Sequence, residues 1–425
     1  MSIRAVKGTR DILPDEILVW RRMEAAANEL FPRYGYREIR TPVFERTELF
    51  ARGIGVDTDI VAKEMYTFQD RAAQGADAES LTLRPEATAG IVRSVIEHNL
   101  MQTDPMLKVY ALGPMFRRER PQKGRYRQFH QLDVEAFGMA EPTIDAEVVE
   151  LALGYLTACG VGELELVLNS VGDQNCRPRY VEALRAALQE KKPGMCGDCQ
   201  RRADTNPLRI LDCKVPQDQP VIDTLPRISD HLCEACRDHF AEVRRQLGLL
   251  GIAHRLSHRL VRGLDYYTRT TFEVTSGALG AQNSVLGGGR YDGLVRDLGG
   301  PDLCGIGFAI GLDRLALLLP SGAEERRCDV FLLPLVSAAL DHALLLQGQL
   351  RRAGVRVLLD TEGRGFKARM KLADKLGARY AAILGEDELK RGAWTLRDMQ
   401  ASTQEQVGFE RVASYLGEKL EQSNG

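Results

Sequence analysis

Beyond Pro320 the chain changes its rhythm, and this change constrains the fold more than any other feature. A Ser-Gly-Ala-Glu-Glu-Arg-Arg linker leads into strand Val330 to Pro334, helix Ala338 to Ala353, strand Val355 to Asp360, helix Phe366 to Gly377 and strand Tyr380 to Leu384. Strands separated by amphipathic helices call for crossover connections, so residues 327–425 read as a separate α/β domain. Upstream the pattern differs. Short strand-like runs (Leu81 to Leu83, Leu107 to Gly113, Gln128 to Phe137) surround one helix, Thr88 to Asn99, as expected of an antiparallel sheet with helical packing, an α+β arrangement. Residues 15–34 carry apolar positions at helical spacing, and Arg37 to Glu45 reads as a strand whose Pro42 marks an edge or an end. Residues 170–258 shift to cysteine-bearing helical stretches with several prolines, which we read as a helical insertion between two parts of the core, 1–169 and 259–322. At 425 residues, more than one hydrophobic core is expected.

With 44% hydrophobic and 27% charged residues, the composition is that of a soluble globular protein. No apolar run reaches the length of a membrane span, and no secretory signal is visible, so the cytoplasm is the expected location. A net charge of -2 means that a nucleic acid partner must be met by a local basic surface. The nine cysteines are expected to stay reduced there, so a disulfide framework is not anticipated.

The densest chemical signal is Phe116-Arg117-Arg118-Glu119-Arg120-Pro121-Gln122-Lys123-Gly124-Arg125-Tyr126-Arg127-Gln128-Phe129-His130-Gln131, with six cations in the eleven residues 117–127, between two strand-like runs. Arginine's planar fork matches phosphate oxygens, and fixed cations stabilise charge developing on a transferring phosphoryl group. A solvated basic hairpin is the competing reading.

This string resembles the second signature motif of class II aminoacyl-tRNA synthetases, and more specifically the histidyl-tRNA synthetase family. Further segments agree in order: Thr41-Pro42-Val43-Phe44-Glu45, similar to the dimer-interface motif; Leu83-Arg84-Pro85-Glu86-Ala87-Thr88; Leu260-Val261-Arg262-Gly263-Leu264-Asp265-Tyr266-Tyr267; and Gly287-Gly288-Gly289-Arg290-Tyr291-Asp292-Gly293, followed by Gly311-Leu312-Asp313-Arg314. The resemblance implies a homodimeric class II enzyme that joins histidine to tRNA(His) with ATP and Mg2+, and an anticodon-binding C-terminal domain. It assigns the ATP α-phosphate to Arg117, the γ-phosphate to Arg314, and adenine to a place between Phe129 and Arg314. Arg262 would meet the amino-acid carboxylate and α-phosphate. Glu86, Thr88 and Gln131 would hold the α-ammonium, Glu135 and Tyr267 would read the imidazole, and Tyr266 and Tyr291 would line the pocket. Arg120 and Gln122 resemble residues that meet the tRNA acceptor end.

Each residue has a blander reading. Phe129 alone suits a core, Arg262 alone a surface ion pair, and Glu86 a helix N-terminus, where a carboxylate complements the dipole. The C-terminal domain could merely pack on a catalytic core. Gly305-Ile306-Gly307-Phe308-Ala309-Ile310-Gly311 is similar to a dinucleotide fingerprint, but its third glycine falls one place late and no clear βαβ unit surrounds it. No Gly-x-x-x-x-Gly-Lys-Ser/Thr loop occurs. Two rivals share the scaffold. A regulatory relative would bind histidine or tRNA without ligating them, and a sister synthetase would take another amino acid. The pairs Cys196/Cys199 and Cys233/Cys236 have the spacing of knuckles for one tetrahedral zinc, against packed reduced thiols, with Cys213 a substitute ligand or a bystander.

Overall fold

The computed structural model describes residues 3–55, 58, 60–70, 79–261, 264–279, 284–320, 327–362 and 365–424. The chain divides into two compact units, residues 1–321 and 322–425.

The first unit is built on an eight-stranded sheet. Its strands run in the order Arg37–Glu38, Lys108–Phe116, Gln128–Phe137, Gly305–Gly311, Ser284–Arg290, Thr268–Ser276, Leu164–Ser170, Arg255–Leu256. The six central strands pair antiparallel, and only the short edge strands pair parallel. Period-two alternation in Gln128–Phe137 sorts the residues by face. Leu132, Val134 and Ala136 enter the main core with Trp20, Met23, Phe31 and the buried helix Pro142–Ala158, leaving Gln131, Asp133 and Glu135 on the opposite face.

The stretch Arg37 to Glu45 is not one strand. Arg37–Glu38 joins the large sheet beside Val109 and Tyr110, whereas Phe44–Arg46 enters a separate three-stranded sheet with Ser80–Leu83 and Tyr66–Gln69. Pro42 has no N–H to donate and restricts Thr41, so the ladder cannot run through it. Arg84, buried, holds the bend by donating to the carbonyls of Thr41 and Pro114.

Between Ser170 and Arg255 lie the helices Arg177–Leu188 and Gly197–Thr205, with a small apolar core of their own that includes Tyr180, Leu184, Ile210 and Ile222, and a third helix, Glu234–Leu249, whose Val243 and Leu247 join the main core. The third helix is fastened to the main core by a buried polar triad. Arg290 donates from Nε (2.9 Å) and Nη2 (2.6 Å) to one oxygen of Asp145, and His239 Nε2 lies 3.1 Å from the other. Burial opposes ionisation of Asp145, but the His239 bond and the Arg290 charge outweigh it and hold the carboxyl below its ordinary range.

The second unit has a five-stranded sheet in the order Val357–Leu359, Val330–Pro334, Tyr380–Leu384, Ala393–Asp398, Gln404–Gly408. The first three strands are parallel and joined through the helices Leu340–Arg352 and Phe366–Lys375, as the alternation predicts. The antiparallel pair that closes the sheet has no clear signal in the sequence: Gln404–Gly408 is mostly exposed and polar.

Candidate active site

Two adjoining cavities open on the polar face of the large sheet. The smaller, about 170 Å³, is lined by Glu86, Thr88, Gln131, Glu135, Tyr266, Tyr267 and Tyr291, so the residues expected to hold an amino acid share one chamber. Asp133 lines it too. The sequence reading does not single out Asp133, although the alternation Gln131, Asp133, Glu135 places all three on one face.

The chamber is acidic. Glu135 accepts from the Thr88 hydroxyl at 2.6 Å and from the Tyr291 hydroxyl, and burial nevertheless pushes its carboxyl up to about 8. Burial, together with the carboxylates of Glu135 and Glu86, carries Asp133 well above the usual range, and its Oδ2 has no hydrogen-bond partner. Gln131 Oε1 is likewise buried and unpartnered. Glu86 takes the backbone N–H groups of Thr88 (2.8 Å) and Ala89 (3.0 Å), so the blander helix-end reading of this residue is realised while it still lines the cavity. Unpaired buried acceptors are costly, and a cationic ligand with several N–H donors would satisfy these.

Glycines make the room. The strand Gly305–Gly311 lies beside Gln128–Phe137 with Gly307 opposite Glu135, and a Cβ on Gly307 would collide with the Glu135 carboxylate and the Val134 carbonyl. A Cβ on Gly305 would strike the Tyr291 ring. The glycine string is therefore a strand interior that clears space for two pocket side chains, and it sits in an antiparallel sheet, which disposes of the dinucleotide reading.

The larger cavity, about 850 Å³, is lined by Arg117, Phe129 and Arg314, together with Arg125, Arg259, Glu64, Glu119 and Glu273. Arg117 lines both cavities, and its Nε donates to Pro85 O at 2.8 Å, which fixes the guanidinium at their junction. The cation above the Phe129 ring is Arg117, 5.2 Å from the centroid. Arg314 starts from the helix Leu312–Leu318 and donates to Ser284 O at 3.1 Å; burial and the nearby Arg125 lower its pKa. Arg262 lies outside the described residues. Leu260 and Val261 before it line the larger cavity, and Leu264, Tyr266 and Tyr267 after it line the smaller.

Arg120 and Gln122 line neither cavity and are exposed on the outer part of the basic loop. Backbone bonds between Gln122 and Arg125 turn that loop, with Gly124 at φ +74°.

The cysteine pairs do not meet in one site. Cys196 and Cys199 gather with Cys213 and Asp218, whereas Cys233 and Cys236 gather with Asp173 and Cys176. The expectation of a single four-cysteine group is corrected, because the pairs begin two different helices, Gly197–Thr205 and Glu234–Leu249. Cys213 is a member of the first group rather than a bystander.

Comparison with known proteins agrees with this geometry. Residues 8–315 match the family model described as histidyl-tRNA synthetase, and residues 329–419 match that described as anticodon binding domain. The histidine–tRNA ligase of Solibacter usitatus is 54% identical over 97% of this chain and 99% of its own length. That of Koribacter versatilis is 51% identical over 97% and 96%. A crystal structure of apo histidyl-tRNA synthetase from S. aureus superposes with a TM-score of 0.80 at 38% identity, covering 98% of this chain and 100% of the other. From its antiparallel catalytic sheet to its C-terminal unit, the chain belongs to the histidyl-tRNA synthetase family.

Proposed function

We infer that this chain is a histidine–tRNA ligase, which activates histidine with ATP and transfers it to the 3′ end of tRNA(His). The observation that supports this reading best is an acidic chamber, with unsatisfied acceptors on Gln131 and Asp133, joined through Arg117 to a cavity rich in arginine.

Histidine offers an α-ammonium with donors only and a ring with one donor and one acceptor. Glu86, Gln131 and Asp133 receive the ammonium, while Glu135, braced by Thr88 and Tyr291, takes a ring N–H. An analogue lacking the ring N–H leaves Glu135 buried and unpaired, and such rejection is strong. In activation, a carboxylate oxygen of histidine attacks the α-phosphorus, the bond to the bridging oxygen breaks, and pyrophosphate leaves. Arg117 bears on the α-phosphate at the junction of the cavities, Arg314 on the γ-phosphate, Phe129 offers its face to adenine, and Arg262 offsets the charge growing between carboxylate and phosphate. In transfer, the terminal ribose hydroxyl of the tRNA attacks the acyl carbon and AMP departs. Positioning and fixed charge carry both steps. Glu64, Glu119 and Glu273 line the larger cavity with hard oxygen donors that would hold Mg2+, and the ion would supply charge neutralisation.

Arg120 and Gln122 meet the tRNA acceptor end, and the C-terminal unit binds the anticodon. The active form is a homodimer that covers the exposed Val43, Phe44 and Phe68. All nine cysteines are free thiols, in keeping with a cytoplasmic enzyme, and no helix among the described residues is long and apolar enough to cross a membrane.

Amino-acid-dependent ATP–pyrophosphate exchange across all twenty substrates, followed by tRNA charging, tests this reading. Exchange with histidine alone is expected. Exchange driven by another amino acid identifies a sister synthetase, and histidine binding without exchange identifies a regulatory protein.

A further inference from the structure

Six of the nine cysteines are drawn into two groups, each of three thiols and one carboxylate. We propose that the insertion carries two structural zinc sites, one formed by Cys196, Cys199, Cys213 and Asp218 and the other by Asp173, Cys176, Cys233 and Cys236. In each group the four donor atoms lie within 4.8 Å of one another. Cys196 Sγ and Cys213 Sγ are 4.0 Å apart. Two thiolates at about 2.3 Å from a tetrahedral zinc stand roughly 3.8 Å apart, whereas a disulfide needs about 2.05 Å. The observed spacing therefore suits a shared ion and not a covalent bond.

Backbone donors already face three of these sulfurs. Cys199 N donates to Cys196 Sγ (3.5 Å), Val215 N to Cys213 Sγ (3.4 Å) and Asp173 N to Cys176 Sγ (3.3 Å). Such outer bonds orient metal-bound sulfur and draw off its charge. Cys176, Cys196 and Cys233 each immediately precede a helix, so a regular element fixes where each of these sulfurs stands. In the first group Cys199, Cys213 and Asp218 are buried, and the Asp218 carboxylate, 0% exposed, lies 3.2 Å from Cys213 Sγ. Asp218 also accepts the Cys196 N–H at 2.9 Å, which leaves its other oxygen directed at the thiols, where a shared cation would sit.

The sites have different mechanical roles. The first ties the helix Gly197–Thr205 to the turn that follows it, inside a small apolar core. The second joins the chain just after the strand Leu164–Ser170 to the start of the helix Glu234–Leu249, so it clasps the two ends of the insertion. Small cores gain the most from such clasps.

The test is metal analysis of the full-length protein purified without chelator from zinc-supplemented cells. Two zinc ions per chain are expected, falling to one in Cys213→Ser and one in Cys236→Ser. Since either variant could fail to fold, wild-type protein stripped and refilled with Co2+ supplies a second readout: thiolate-to-cobalt charge-transfer absorption and tetrahedral d–d bands that saturate at two equivalents. Zinc near zero with no cobalt–thiolate absorption overturns the proposal. One equivalent, or iron in place of zinc, overturns it in the form stated.

Discussion

Glu135→Gln keeps the shape of the pocket and removes one ionisation, so it isolates the electrostatic part of histidine recognition. With a carboxyl at about 8, Glu135 is largely protonated in the empty pocket near neutral pH, and a cationic ligand draws out that proton. If binding requires the ionised form, the competent fraction is about one eleventh at pH 7 and one half at pH 8, so wild-type affinity for histidine rises roughly fivefold across that unit. Near pH 7.5, binding releases on the order of 0.8 proton. Isothermal titration of histidine in buffers of different ionisation enthalpy measures both quantities, and pH 8 is the upper limit before the ligand's own ammonium begins to titrate. Glu135→Gln should bind more weakly at pH 8, release no proton at this site and show a shallower profile from pH 7 to 8, Asp133 being the other strongly raised carboxyl in the chamber. A variant with the wild-type slope and proton count would refute the assignment of Glu135 as the titrating contact. A stability signature accompanies the binding one. Because the folded-state pKa is raised from 4.5 to about 8, the contribution of Glu135 to stability is full below 4.5 and is lost as the pH rises through 8. Unliganded Glu135→Gln should therefore melt above wild type at pH 8 and level with it near pH 4.5.

Gly307→Ala forces a methyl group into the Glu135 carboxylate and the Val134 carbonyl; a loss of about 1–3 kcal/mol in urea unfolding is expected, with histidine-dependent exchange reduced far more than melting. Equal exchange in variant and wild type would show that the strand yields at no cost. Arg117→Ala should lower kcat for pyrophosphate exchange by about 10²- to 10³-fold, with Arg117→Lys recovering little of it, since an ammonium does not reproduce the fork. Arg120→Ala should leave exchange intact and weaken tRNA charging with a reduced salt dependence, and impaired exchange would place Arg120 in the wrong step. Asp145→Ala leaves Arg290, 0% exposed, with Asp292 as its one remaining carboxylate among the described residues, and should cost about 3 kcal/mol by denaturant titration. As the carboxyl of Asp145 is held low, its stabilisation is present above the ordinary carboxylate range and is lost as the pH falls through the depressed value, so wild type and variant should converge in acid.

The parts of the molecule that follow a local period were legible from residues alone. Gln128–Phe137, Val330–Pro334 and Tyr380–Leu384 occupy the spans their alternation or apolar runs indicate. The pocket was legible mainly through resemblance, because its members come from segments far apart, and Asp133 slipped by although it shares a strand face with Gln131 and Glu135. Pairing across distance was the harder matter. Spacing alone put Cys196, Cys199, Cys233 and Cys236 into one group, yet the helix each pair begins decides its companions, and Asp173, Cys176, Cys213 and Asp218 carry no motif that announces them. The strand read over Arg37 to Glu45 is two short strands, and Pro42, read as an edge or an end, stands where the chain leaves the edge of one sheet for another.

Ile60, Arg117, Gln131, Gly287 and Ala309 border both cavities. Among the described residues the inner chamber thus shares a wall with the larger cavity, which the proposed reaction gives to the nucleotide. On the proposed function, an amino acid seated first would lie behind the triphosphate, and the mixed anhydride would form where the two cavities meet. Order-of-addition kinetics should show ATP slowing both entry and escape of histidine, and exchange rates of histidine indifferent to bound nucleotide would mean a second entrance exists.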